Sequence, residues 1–191
     1  MASPRPAPRG DGPKGDRDRI PSGQREKRFR DSDESQILND VVKNVTGLNY
    51  GQALASLDTW TRRYRSSDFS DDRTYYYMQA YTGLNQPAKV VDAGTPLLAK
   101  DLGAAFQDPM QVIGVLYLAS LNLQKLPNPT MEQLATGKHA AYGLLEYLPV
   151  YFTPQNKPPA FSGDDWTKAR TDLEALARQT IAFAERPSAR R

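Results

Sequence analysis

The sequence contains no cysteine and a single histidine. Disulfides, thiolate metal sites and cysteine nucleophiles are therefore excluded, and His139 has no second imidazole with which to build a histidine metal site. A serine–histidine relay is equally short of material: no Gly-x-Ser-x-Gly, His-Glu-x-x-His or dinucleotide fingerprint occurs. Gly137-Lys138 has the look of the end of a phosphate loop, but Glu132 stands where its first glycine belongs. Long hydrophobic runs are also missing, so nothing approaches the roughly 20 apolar residues of a membrane span. The absences leave protein binding as the expected class of function, with no catalysis, no metal and no cofactor.

Residues 1–31 are poor in apolar side chains, with only Ile20 and Phe29 of any size, and rich in Pro, Gly, Arg and Asp. Such a stretch cannot bury enough apolar surface to offset the entropy of ordering, and it reads as a disordered basic tail. It carries nine Lys/Arg against five acids, so the net charge of +3 belongs to the tail and the remainder is close to neutral. The cluster Arg25-Glu26-Lys27-Arg28-Phe29-Arg30 supports an alternative function, docking on nucleic acid or an anionic membrane surface. The tail also lacks the apolar region of a signal peptide. As written the chain is expected in the cytoplasm, or in the periplasm if the true N-terminus carries such a signal.

Beyond the tail, apolar residues recur at helical spacing. Ile37, Leu38, Val41, Val42 and Val45 outline a helix capped by Ser32 or Asp33 and ended by Gly47. Leu54, Leu57, Trp60 and Tyr64 outline a second. Thr74 to Leu84 forms a third, ended at Asn85-Gln86-Pro87, and Pro87 opens a fourth that reaches Asp101, with a kink or break expected at Pro96. Met110 to Leu123 is apolar almost all round, the pattern of a central, buried helix. Thr130 caps a helix from Met131 to Leu148. Residues 149–163, with four prolines, read as an extended connector, and 164–186 as a C-terminal capping helix with a polar far face. The carboxylate pairs Asp71-Asp72 and Asp164-Asp165 both precede helices, where capping accounts for them.

The alternation of helix, turn and helix over residues 32–148 predicts an all-α fold: antiparallel helix pairs laid side by side, about three pairs plus the capping helix. Neighbouring pairs then share one core and leave a concave face lined by the first helix of each pair. Tyr75-Tyr76-Tyr77 spans too much of a helical turn for all three rings to face the core. With Tyr77, Met78 and Tyr81 inward, Tyr75, Gln79 and Thr82 are the candidate partner-binding residues.

At this level the sequence resembles the tetratricopeptide repeat family, whose unit of about 34 residues is a helix–turn–helix. Met78 and Tyr81 stand where that family has its small residue and its tyrosine, and Val90, Gly94 and Leu97 stand at its three second-helix positions. Ala53, Leu57 and Trp60 occupy the same three positions one unit earlier, followed by Tyr64 and Asp68 in the turn between units. The chain is similar to small bacterial members of unassigned role. The resemblance implies a right-handed α-solenoid acting as a scaffold, with a peptide or partner helix in its trough.

Overall fold

The computed structural model describes residues 26–186, and every regular element among them is helical. The helices are α1 (Ser32–Thr46), α2 (Tyr50–Arg63), α3 (Ser70–Gly83), α4 (Pro87–Leu98), α5 (Leu102–Ala105), α6 (Pro109–Leu123), α7 (Met131–Tyr151) and α8 (Gly163–Ala184), with a 3₁₀ turn at Pro154–Asn156. Residues 1–25, which make up most of the expected tail, lie outside the described residues, as do 187–191.

Local chemistry accounts for the ends of these helices. Asp31 caps α1 by accepting the Glu34 backbone N–H, and Asp108 and Ser162 do the same for α6 and α8. At α7, Thr130 and Gln133 form a reciprocal capping box. Gly47 ends α1, its N–H returning to the Lys43 carbonyl and the next N–H, of Leu48, to that of Val45.

Sequential helices are packed neighbours: α1 on α2, α3 on α4, α6 on α7 and α7 on α8. Side-chain contacts set their directions. Asp31, Asp33 and Glu34 meet Tyr64, Arg63 and Trp60, an order that falls along α2 as it rises along α1, so the two are antiparallel. Helices further apart in sequence run the same way. Asp92 and Thr95 of α4 meet Gln133 and Thr136 of α7, the hydroxyls of the two threonines 2.9 Å apart.

The core falls into three clusters. Val41, Ala53, Leu57, Trp60, Tyr64 and Ala80 join α1, α2 and α3. A larger one surrounds α6, nine of whose fifteen residues are buried, which requires cover on several sides; α3, α4, α7 and α8 supply it. Val91, Leu123 and Leu126 form a third, against Leu134 and Phe183. Full burial of each such aliphatic side chain contributes roughly 1.5–3 kcal/mol, so α6 is the element around which the rest of that half is organised.

Four details differ from the sequence-based expectations. Pro96 does not break α4, which continues to Leu98, because a proline so near the C-terminus removes little of the ladder. The short helix α5 was not expected. Helix α7 runs through Pro149 to Tyr151, and its aromatic end is held by Trp166, stacked on Phe152 at 4.2 Å and donating its indole N–H to the Thr153 carbonyl. The last correction is at the tail boundary: residues 26–31 are packed against the body, with Phe29 stacked on Phe69 at 4.3 Å and Arg30 donating to the Ser66 carbonyl at 2.6 Å.

Candidate partner-binding site

Tyr75, Gln79 and Thr82 are spaced to share one face of α3, and that face meets α6. Three pairs define the seam between the two helices. Gln111 donates to Asp72 at 3.3 Å. The Tyr75 ring crosses α6 at Gly114, so closely that a Cβ there would fall 2.3 Å from the phenolic oxygen. Asn122 donates to the Thr82 hydroxyl at 3.0 Å. Positions rise together along both helices, so α3 and α6 are parallel. The seam is polar at both ends and aromatic in the middle.

All three candidate residues are half-buried rather than open. The Tyr75 ring also meets Phe106 edge-on at 6.1 Å, and burial pushes its phenol up in pKa, opposed by a hydrogen bond from Gln79. Thr82 is spent on Asn122, whose amide also donates to the Leu118 carbonyl at 2.8 Å while its own oxygen is buried without a partner. The expected division of the three tyrosines is different in detail. None is fully exposed: Tyr76 packs with the α1–α3 cluster, and Tyr77 donates to Asp58 at 2.7 Å and stacks on Tyr81. Burial is the main reason that Tyr77 is pushed up to about 12.

The α6 side of the site escaped sequence reasoning. Gln111, Gly114, Tyr117 and Leu121 are the only residues from 111 to 123 that are not buried, and they form one stripe along the helix. Their signal was present in the sequence: Gln111 and Gly114 are among the few polar or small residues in an otherwise apolar helix.

Measured against known proteins, the chain matches no family model, no curated protein and no solved structure.

Elsewhere, His139 is exposed on α7 at the edge of a cleft of about 300 Å³ that it shares with Lys100, Asp101, Glu146 and Tyr147. Asp71 pairs with Lys100 at 2.6 Å and Asp72 with Lys27 at 2.5 Å, while Asp165 accepts from the capping Ser162. Three of these four carboxylates thus have structural partners, and Asp164 lies in the first turn of α8. Among the described residues no group of three or more His, Asp or Glu is arranged to hold a metal ion, and no helix is long and apolar enough to cross a membrane. Of the basic cluster, Lys27, Arg28 and Arg30 all contact the protein itself, Arg28 through Glu26 at 3.0 Å.

Proposed function

We propose that the chain is a non-catalytic protein-binding module built as a tetratricopeptide-like stack of helix pairs, with α1–α2, α3–α4 and α6–α7 as the pairs and α8 as the cap. The observation that carries this reading is the shared direction and steady register of α3 and α6, together with the same relation between α4 and α7. First helices adjoin first helices (α1 with α3, α3 with α6, α6 with α8), and second helices α4 and α7 adjoin each other. A closed bundle of antiparallel neighbours would not require either relation, whereas side-by-side pairs do.

On this reading the row α1, α3, α6 and α8 lines the trough. Its floor near the centre is the Tyr75–Gly114 seam, flanked by Gln79, Thr82, Gln111 and Tyr117. Half-buried tyrosines held by their neighbours lose little side-chain freedom when a partner covers them, which suits them as anchors for a peptide or partner helix.

The test is site-specific trapping. A photo-crosslinking phenylalanine analogue placed at position 117 should capture a distinct polypeptide in the native cell, and Gln79→Arg should reduce that capture at least about tenfold through the cost of desolvating an unpaired charge. The same analogue at the exposed Tyr142 on α7 is the control. Equal capture from positions 117 and 142, unaffected by Gln79→Arg, would rule out the trough as the binding face.

A further inference from the structure

The first described residues enclose a second feature, which shares Gln111 with the trough but does not depend on the helix-stack reading. The Lys27 ammonium sits in a pocket at the N-terminal ends of α3 and α6. It pairs with Asp72 Oδ2 at 2.5 Å and lies over two aromatic rings, Phe69 at 5.9 Å and Phe106 at 5.5 Å. The other Asp72 oxygen accepts from Gln111. Only 15% of the Lys27 side chain and 12% of the Asp72 side chain are exposed.

Two residues on, the Phe29 ring lies flat on the opposite neighbour of that pocket, Phe69, with 13° between the planes. Arg28, between them, is turned outward to Glu26 with 79% of its side chain exposed. The intervening backbone is held without regard to side chain: the Arg28 N–H donates to Asp68 at 3.2 Å and the Arg30 N–H to Glu34 at 2.8 Å. Alternate side chains are read and the backbone is clamped, which is how a groove recognises an extended peptide.

The charge balance explains why this site selects its occupant. A carboxylate with so little access to water and one neutral donor is costly to leave alone, and two ring faces above it favour a cation further. Release of Lys27 leaves a pocket that demands another alkylammonium group.

We propose that Asp72, Phe69, Phe106 and Gln111 form a recognition pocket for an extended peptide bearing a lysine followed two residues later by an aromatic residue. The chain's own Lys27-Arg28-Phe29 is the resident ligand. A partner carrying this pattern binds by displacing the resident, so occupancy of the pocket and release of residues 26–29 are coupled.

The test uses the full chain. Lys27→Glu with Phe29→Ala expels the resident segment by setting a second carboxylate against Asp72. A fluorescent peptide with the sequence of residues 24–32 is the probe, read by anisotropy, and the helical signal of each variant is recorded alongside. The emptied chain should bind the probe at least about tenfold more tightly than the unaltered chain, and either Asp72→Asn in the emptied chain or lysine→glutamine in the probe should remove that gain.

If the emptied chain loses its helical signal, the deciding measurement is made on the unaltered chain. A probe carrying a photo-reactive residue in place of its phenylalanine should crosslink to residues 69–72 or 106, and Asp72→Asn should prevent it. Absence of both the binding gain and the crosslink overturns the proposal. So does a Phe29-dependent dimer of the unaltered chain in sedimentation equilibrium, which would make a second copy the occupant. Loss of the trough by Gln79→Arg should leave probe binding unchanged, so the two proposals fail separately.

Discussion

Glu34 and Trp60 are both fully buried, and the indole N–H donates to Glu34 Oε1 at 3.0 Å while Oε2 accepts the Arg30 N–H at 2.8 Å. Trp60→Phe removes one of the two donors to a carboxylate that water cannot reach. A hydrogen bond to a charged group contributes about 1.5–3 kcal/mol, and the lost half of the indole leaves a void costing about 1–2 kcal/mol more. The expected loss is therefore about 4 kcal/mol, or roughly 10 °C in melting temperature for a chain of this size. Glu34→Met should also destabilise strongly, because it strands the indole and Arg30 donors and takes a carboxylate away from the neighbouring Arg73, whose guanidinium lies over Trp60 at 5.6 Å. In the double variant the broken bond is counted once. The loss in the double variant should then fall short of the sum of the two single losses by about 2 kcal/mol. Urea unfolding followed by circular dichroism supplies all four free energies. Additivity to within about 0.5 kcal/mol would refute the claim that this bond ties α1 to α2.

Gly137→Ala should destabilise by about 1–3 kcal/mol, since the new methyl would lie 2.4 Å from Leu123 Cδ2 and 2.7 Å from its Cβ, and the latter cannot swing away; an unchanged denaturation midpoint would contradict this. Tyr64 is held up to about 12, first by its 2.6 Å hydrogen bond to Asp31, and Tyr77 reaches about 12 through burial. Their folded values lie above the unfolded value of about 10, so the stability they contribute is complete below pH 10 and is lost as pH rises from 10 towards 12. Absorbance titration near 295 nm should show two tyrosines ionising only in that upper range or together with helix loss, and a single midpoint near 10 for all with the helices intact would count against it. At acid pH the direction reverses: Asp31 is lowered, mainly by Tyr64, so its contribution is present above its ordinary value and falls away below it. Tyr64→Phe should flatten the fall of stability below about pH 4, as read from urea midpoints.

The helices were legible in the sequence because their signals are local. Apolar spacing located α1, α2, α6 and α8 to within a residue or two, but began α3 four residues late, and Thr130 marked the start of α7. Legibility failed where tertiary contact overrode local preference. Pro149 predicted an end that the packing of Tyr151 and Phe152 on Trp166 defers. Residues 26–31 look like part of a polar tail because each side chain is judged alone, while the pocket that receives Lys27 is assembled from residues scattered between 69 and 111. One signal went unused: Thr46-Gly47-Leu48-Asn49 returns as Thr82-Gly83-Leu84-Asn85, and both strings close a first helix and lead into a second. Periodicity puts the candidate residues on one face of α3, but the half-burial of that face depends on Gly114 and Asn122, which no spacing within α3 can reveal.

The two tryptophans, finally, stand guard over different territories. Trp60 belongs to the cluster of α1, α2 and α3, and Trp166 to the aromatic knot where α7 gives way to α8. Each indole is a built-in fluorophore for its own end of the molecule, so a chain that melts from one end inwards will show two emission transitions where a chain that melts at a stroke shows one.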